Sequence, residues 1–424
     1  MGGKYGTCWK SRWRSLGLFL AVIGPGLVTA NADNDAGGIT TYTQAGALYG
    51  YKMLFGILII TFGLAVIQEM AARMGAVTGK GLSDLIREEF GVRWTVLAMA
   101  VLLVANMAVT VAEFAGIAAS YQVFGLGGLN FLLVPLTAAL LWLLVVKGSY
   151  RLVERAFLAL SLVFAAYVVS GLRAGPDWGQ VARHLLIPHF EWSPGFITMF
   201  IGVIGTTITP WMQFYLQSSV VDKGITAEHY RYERVDVIFG AFLTDFVSFF
   251  IIVSAAAAIY FSGGPRVLET PAMAAQALRW VAGPYAAHLF AGGLFGASVL
   301  AAPILPLTTS YAICEAFGWE SGIDRRYGEA PVFYGLFTLM IAAGAGVVLL
   351  PWVRRNLVQV MLFSQFLNGL LVPVIMIFML RLVNNRRLMG RHVNGRVYNL
   401  IAWTTVGGII LLTVAMLVTM LFRS

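Results

Sequence analysis

Long apolar blocks separated by short polar segments run along almost the whole 424-residue chain. Blocks such as residues 129–146 and 398–422 have at least the length of about eighteen residues with which a helix crosses the hydrocarbon of a bilayer. A membrane β-barrel would instead show segments of about ten residues that alternate between apolar and polar. Residues 140–146, Leu-Leu-Trp-Leu-Leu-Val-Val, do not alternate. The pattern therefore predicts an all-α membrane protein.

The apolar blocks predict eleven transmembrane helices. Their bounds are 15–50 (interrupted), 52–74, 94–122, 129–148, 151–174, 194–221 (interrupted), 235–261, 285–316, 331–351, 357–382 and 398–422. Segments 81–90 and 271–281 are too short to span and are predicted as short surface helices, the first of them amphipathic.

Composition and charge agree with this prediction. Only 12% of the residues are charged, against about 25% in soluble domains, which excludes a soluble protein. When the loops are assigned alternately to two sides, 21 of the 29 Lys and Arg residues fall on the side of the N-terminus. This positive-inside bias predicts a cell-membrane protein with a cytoplasmic N-terminus and an extracytoplasmic C-terminus. The net charge of +9 thus reflects topology, and no nucleic-acid partner is predicted.

Residues typical of enzymes and resident metals are sparse. Cys8 and Cys314 are too few for a thiolate cluster, and the five histidines show no ligand-like spacing. Neither Gly-x-Ser-x-Gly nor His-Glu-x-x-His occurs. The sequence therefore predicts no enzyme and no cofactor. Apart from the lipid bilayer and a transported ligand, it indicates no obligate partner.

Two spans carry polar and helix-breaking residues near their middle, at 26–41 and 205–213. Non-helical backbone is tolerated in a bilayer only where it is buried in protein or lines a wet cavity. The breaks lie in the first and sixth spans, at corresponding positions of two five-helix halves. This placement predicts a LeuT-like inverted 5+5 repeat with a ligand at the midplane. The repeats are predicted at 15–174 and 194–382 of a single transport domain, 1–424, followed by an eleventh helix at 398–422.

Asp35 in the first break is the principal candidate for a binding residue. An ionised acid in the membrane costs several kcal/mol unless it is compensated, and the free carbonyls of half-helices also favour a cation. The alternative is that Asp35 or Asp33 only caps the following half-helix. Glu113 lies in the middle of the third span, and two roles are open for it. It could act as a relay near the site, or it could pair structurally with a buried polar group. Glu69 and Arg73, four residues apart, are predicted to form an ion pair.

The first span resembles the first helix of the Nramp divalent metal transporters. Its Gln-Ala-Gly-Ala segment lies at 44–47, and the Asp-Pro-Gly-Asn motif of that family then falls on 35–38, here Asp-Ala-Gly-Gly. Residues 68–82 are similar to the second helix and following loop of the family. The resemblance covers nearly the whole chain and implies a membrane transporter of divalent metal cations.

Several family positions differ in this chain. The Asn of the first motif is Gly38, and the Met and His of the sixth helix are Thr209 and Trp211. In the third helix, the family has an acidic residue tied to proton movement, and this chain has Thr110 in its place. The family's glutamate in the same helix is kept as Glu113. The glutamine of the family's tenth helix, placed by its distance from Pro373, falls on Leu371. Gln365 and Asn368 nevertheless give this helix polar side chains.

These differences favour a hard cation. Transition metals gain from thioether and nitrogen ligands, whereas Mg²⁺ prefers oxygen and sheds water reluctantly. The pattern is similar to that of the Nramp-related magnesium transporters. The resemblance implies a site made by Asp35, the carbonyls of Ala32 and Thr206, Thr209 and Gly38. It places Glu113, Trp211, Thr110, Gln365 and Asn368 around this site or along the pathway.

The loss of an acid and a histidine further implies transport without proton coupling. Two alternatives stay open. One is a proton-coupled importer of Mn²⁺ or Fe²⁺. The other is a sodium-coupled amino-acid carrier, although an Asp at the first break would repel the substrate's carboxylate.

Overall fold

A computed structural model describes residues 34–147, 163–323 and 325–421, and these residues form helices connected by short turns. The helices of nine or more residues are α1 (Ala36–Tyr49), α2 (Leu54–Thr78), α3 (Leu82–Phe90), α4 (Val92–Val123), α5 (Asn130–Val146), α6 (Val163–Arg173), α7 (Trp178–Leu186), α8 (Pro194–Thr207), α9 (Pro210–Asp222), α10 (Tyr230–Ala255), α11 (Ala286–Phe317), α12 (Pro331–Val348), α13 (Leu357–Val383) and α14 (Arg396–Leu421).

Nine helical segments within the described ranges are long and apolar enough to cross a membrane. They correspond to nine of the predicted spans, with α8 and α9 counted together. The shorter helices α1 and α6 lie in the predicted first and fifth spans, next to residues that are not described. The all-α fold class is confirmed, and the total of eleven spans stays a prediction.

The predicted bounds differ from the structure mainly at helix ends. Helix α10 begins at Tyr230, five residues before the predicted start, because polar residues at the end of a span can stay helical outside the hydrocarbon. After Ala255 it continues as a π-helical turn at Ala256–Tyr260. The segment predicted as one short helix at 271–281 is helical from Pro271 to Ala282, but a 3₁₀ turn at Ala275–Leu278 divides it into two α-helical turns, and Gly283 follows with a φ of 50°.

Helix α3 confirms the predicted amphipathic surface helix at 81–90. Its buried face consists of Leu82, Ser83, Leu85 and Ile86, and the opposite face is exposed. Gly79, with a φ of 64°, ends α2 just before it in the left-handed conformation that favours glycine. Arg87 then fastens α3 to the bundle, because its Nη1 donates to the carbonyl of Ala316 at the end of α11 at 2.6 Å.

Glycines allow the inner helices to approach each other closely. A Cβ atom at Gly205 on α8 would overlap the backbone of Gln365 and Gly369 on α13. At Gly116 on α4 it would overlap Ala36 on α1. Small residues permit this kind of backbone contact between membrane helices. These contacts bring the start of α1, the end of α8 and the middles of α4 and α13 together.

Candidate functional site

The first feature of the candidate site is the start of α1, where Asp35 is the N-terminal cap. Its backbone is extended, with φ of −73° and ψ of −179°, and its Oδ1 accepts the N–H of Gly38 at 2.5 Å. The side chain is 4% exposed. Its second oxygen, Oδ2, lies 3.5 Å from the Nε2 of Gln365, at the long limit of a hydrogen bond. Capping therefore uses one carboxylate oxygen and leaves the other for a ligand.

Glu113 lies against the same helix start. It is fully buried in the middle of α4, and its Oε2 lies 3.4 Å from the backbone nitrogen of Ala36. Its Oε1 has no hydrogen-bond partner among the described residues. The carboxyl groups of Asp35 and Glu113 therefore both contact the first turn of α1. None of the ion pairs found in the described ranges involves either acid, so the pair favours a cation.

The second feature of the candidate site is the break between α8 and α9, at Ile208 and Thr209. Pro210 is the first residue of α9 and has no N–H, so the Thr206 carbonyl lacks its usual donor four residues later. Thr209 occupies the N-cap position, but its hydroxyl makes no capping hydrogen bond. The hydroxyls of Thr206 and Thr209 are buried and have no partner within the described part of the chain. The break thus offers one carbonyl and two hydroxyl oxygens.

Helix α13 adds two amides to this region. The Oε1 of Gln365 accepts the Nδ2–H of Asn368 at 3.2 Å, and its Nε2 points to Asp35. Gly37 makes this possible, because a Cβ atom there would overlap the Gln365 amide. Leu371, where the family's glutamine falls by sequence, only packs against the apolar core. The structure therefore places Gln365 next to Asp35.

The other predicted residues lie less directly at the site. Gly38 is buried and contributes its N–H to the Asp35 cap. Thr110 donates to the Asn106 carbonyl at 2.7 Å, one turn before Glu113. Trp211 is buried with its ring edge-on to Tyr215, 5.8 Å between centroids, and no described contact joins it to Asp35. Ala32 lies outside the described residues.

Two further contacts were not predicted from the sequence. Asn34 donates its Nδ2–H to the Thr244 hydroxyl at 3.0 Å, which ties the residue before Asp35 to α10. The hydroxyls of Tyr42 and Thr207 lie 2.8 Å apart and join α1 to the end of α8. The only sequence signal was the position of Asn34 and Thr207 inside the two polar breaks.

One sulfur atom lies near the site. The Sδ of Met361, one helical turn before Gln365 on α13, is 3.5 Å from the Thr40 hydroxyl, which donates to it. Farther along α2, Glu69 Oε2 lies 3.3 Å from Arg73 Nη2, so the predicted ion pair is confirmed. Within the described ranges, no group of three or more His, Cys, Asp and Glu side chains is arranged to hold a metal.

The described helices form an all-α bundle with a buried acid at the start of α1, a second buried carboxyl beside it and a helix break at Thr209 and Pro210. These features are those of a transport protein of the LeuT-like class. The comparisons with known proteins name the family. The sequence profile described as natural resistance-associated macrophage protein-like (Nramp) matches residues 26–419. The chain therefore belongs to the Nramp family.

Individual relatives cover most of the chain. The divalent metal cation transporter MntH of Pectobacterium carotovorum is 28% identical over 399 residues, 89% of each chain. The protein of the same name in Ralstonia nicotianae is 29% identical over 413 residues, 92% of this chain and 88% of the relative. The solved manganese transporter of Eremococcus coleocola has a TM-score of 0.71 and 23% identity, with 99% of this chain and 88% of that chain covered. This last likeness shows the shared fold.

Proposed function

We propose that this chain carries a divalent metal cation across the cell membrane by alternating access, and that Mg²⁺ is the favoured cation. The observation that carries the proposal is the buried carboxylate pair of Asp35 and Glu113 at the start of α1, together with the buried, unpartnered hydroxyls of Thr206 and Thr209 at the α8–α9 break. The names of the MntH relatives support divalent cation transport. The choice of Mg²⁺ rests on the chemistry of the ligands.

Mg²⁺ is usually bound through one or two carboxylates and keeps several of its waters. In the proposed site, the Oδ2 of Asp35, which is only weakly bonded to Gln365, and the Thr206 carbonyl contact the ion or its waters, and the Thr209 hydroxyl adds a further oxygen. Gly38 has no side chain, which leaves room for water. The amides of Gln365 and Asn368 complete a polar lining on α13.

Transport without proton coupling is part of the proposal. Thr110 and Trp211 stand where the resembled family has an acid and a histidine, and neither side chain exchanges protons near neutral pH. Glu113 remains, and its Oε2 faces the first N–H of α1. Its proposed role is to add negative charge beside the cation.

The arrangement in the membrane is proposed as well. The Lys and Arg bias supports a cytoplasmic N-terminus and an extracytoplasmic C-terminus. The two breaks support an inverted repeat of residues 15–174 and 194–382, with the ion between the halves. Labelling of Cys8 by an impermeant thiol reagent tests the orientation. Labelling of Cys8 in intact cells, without permeabilisation, would show that the N-terminus is extracytoplasmic and would contradict the proposed orientation.

A proton-coupled importer of Mn²⁺ is the second candidate. The similar solved protein is a manganese transporter, and the two relatives described above share the name MntH. The thioether of Met361 lies one helical turn from Gln365 and accepts a hydrogen bond from Thr40. Loss of that hydrogen bond would make the sulfur available as a soft ligand for Mn²⁺.

Uptake into proteoliposomes separates the two candidates. Mg²⁺ and Mn²⁺ uptake is measured at several external pH values while internal pH is recorded. We expect Mg²⁺ uptake without acidification of the lumen, abolished in Asp35→Ala and unchanged in the control Glu228→Gln, which alters an exposed acid. Mn²⁺ uptake without Mg²⁺ uptake, or acidification that follows metal entry, would support the second candidate instead.

A further inference from the structure

A row of polar side chains continues from the α8–α9 break along one face of α9. Its members are Thr209, Gln213 and Gln217, spaced four residues apart, so their side chains lie one above the other on the same face of the helix. Each of them is at most 2% exposed. From Thr209 to Gln217 the helix rises by about 12 Å. The row therefore leads from the break toward the end of α9.

One oxygen of each side chain in this row is buried and unpaired. Within the part of the chain that the structure describes, Thr209 Oγ1, Gln213 Oε1 and Gln217 Oε1 have no hydrogen-bond partner. The amide nitrogens of the two glutamines do have acceptors. Gln213 Nε2 reaches the Thr209 carbonyl at 3.5 Å, and Gln217 Nε2 donates to the Lys80 carbonyl at 2.9 Å. Buried polar atoms are nearly always paired with protein, water or a ligand, so these acceptors indicate contact with water or a ligand that donates.

The facing surface of α2 has a further unpaired amide oxygen. Gln68 is 1% exposed, its Oε1 has no partner among the described residues, and its Nε2 reaches only the Met212 sulfur at 3.9 Å. Closer to the end of the row, a Cβ atom at Gly75 would lie 2.8 Å from the Gln217 carbonyl. The row thus lies at the contact between α9 and α2, and the two helices pack closely over its last residue.

A carboxylate lies near the point where the row ends. Lys80, whose carbonyl receives the Gln217 amide, is followed by Gly81, and a Cβ atom at Gly81 would overlap the Glu315 carboxylate of α11. The Lys80 ammonium is paired with Glu88 at 2.6 Å. Negative charge at the mouth of a polar path raises the local concentration of cations.

We propose that Gln213 and Gln217 line the path by which a hydrated cation moves between the α8–α9 break and the membrane surface at the end of α9. Mg²⁺ gives up its waters reluctantly, and the hydrogens of its bound waters point outward as donors. Amide oxygens accept these hydrogen bonds without the strong attraction of a carboxylate, so the ion is not held on its way. The inference rests on the proposed transport function and assigns the handling of the cation's water shell to these two residues.

Labelling with a small cationic thiol reagent tests the path without depending on which metal is carried. The starting chain has Cys8→Ser and Cys314→Ala, and the reagent is added to proteoliposomes during metal uptake. We expect Gln213→Cys and Gln217→Cys to be labelled. The matched control is Tyr215→Cys on the opposite face of α9, where the ring lies against Trp211, and it should stay unlabelled.

Uptake kinetics provide the second measurement. Gln213→Leu and Gln217→Leu remove the amide oxygen at nearly constant side-chain size, so we expect the maximal rate of Mg²⁺ uptake to fall about tenfold and KM to change less than about twofold. Gln213→Asn and Gln217→Asn keep an amide oxygen and should retain most of the rate. The control Gln276→Leu, at an exposed position, should behave as wild type.

An unchanged rate in both leucine variants would overturn the role of the glutamines. Equal labelling of all three cysteine variants, or labelling of neither glutamine variant, would overturn the path itself. If the wild type carried no divalent cation but the labelling pattern were as expected, the proposed function would be wrong and the polar path along α9 would stand.

Discussion

The Oδ2 atom of Asp35 lies 3.5 Å from the Nε2 atom of Gln365, across 330 residues of sequence. Oδ1 of the same carboxylate is committed to the N–H of Gly38 at 2.5 Å. One oxygen thus holds the helix start, and the other is held weakly enough to exchange its amide partner for a cation. The capping and ligand roles of Asp35, which the sequence presents as alternatives, are compatible in this geometry.

Asp35→Asn separates these two roles. Asparagine caps helices about as well as aspartate, whereas alanine costs about 1 kcal/mol at such a position. We expect Asp35→Asn to lose at least about a hundredfold in uptake, because the charge is gone, while its thermal unfolding stays close to wild type. Asp35→Ala should lose uptake and also unfold at a lower temperature. Normal uptake in Asp35→Asn would contradict a charge-based site.

Gly37→Ala tests the contact between α1 and Gln365. The added methyl group would overlap the Gln365 amide, so we expect the amide to move away from Asp35 and uptake to fall at least about tenfold. The control is Gly346→Ala on α12, where a Cβ atom meets no other atom within 4 Å. That change should leave uptake unaltered and slightly favour the helix, by up to about 1 kcal/mol. If Gly37→Ala and Gly346→Ala showed equal uptake, the position of the Gln365 amide would not matter for transport, and Gln365 would not belong to the site.

Thr209→Met tests the basis of metal preference. A thioether at the α8–α9 break supplies a soft ligand that favours Mn²⁺ over Mg²⁺. We expect the ratio of Mn²⁺ to Mg²⁺ uptake, measured in competition, to rise by about tenfold or more. Thr209→Val is the matched control, because it removes the hydroxyl without adding sulfur. If both variants change the ratio equally, loss of the hydroxyl, not gain of sulfur, controls the preference.

Asp177→Ala tests the capping of α7. Hydrogen bonds from the Gln180 backbone and side chain lower the pKa of the Asp177 carboxyl, with a further contribution from the Gly179 N–H. A lowered pKa means that the cap stabilises the folded helix above the unfolded value of about 3.9 and loses this effect as pH falls through the folded value. We expect faster amide exchange of α7 in the variant at neutral pH. The difference from wild type should shrink below about pH 4, and a difference independent of pH would contradict this account.

The sequence predicted much of the architecture. Apolar blocks located the nine spans found within the described ranges, because span length is set by bilayer thickness and is visible in any single segment. The break at Thr209 and Pro210 could also be predicted from neighbouring residues alone. A proline lacks the backbone N–H and therefore interrupts a helix whatever the rest of the fold is. Helix ends were less accurate, as at Tyr230, where polar residues remain helical beyond the apolar block.

The sequence by itself determined the class of fold and the position of the break at Thr209 and Pro210, and it singled out Asp35 as a candidate binding residue. Only the tertiary structure decided that Gln365 meets Asp35 and that Glu113 faces the start of α1. Only the tertiary structure brought the Gln217 amide to the Lys80 carbonyl. The physical reason is the range of the interactions: breaks and apolar lengths follow from neighbouring residues, whereas these contacts depend on how helices and turns pack in three dimensions.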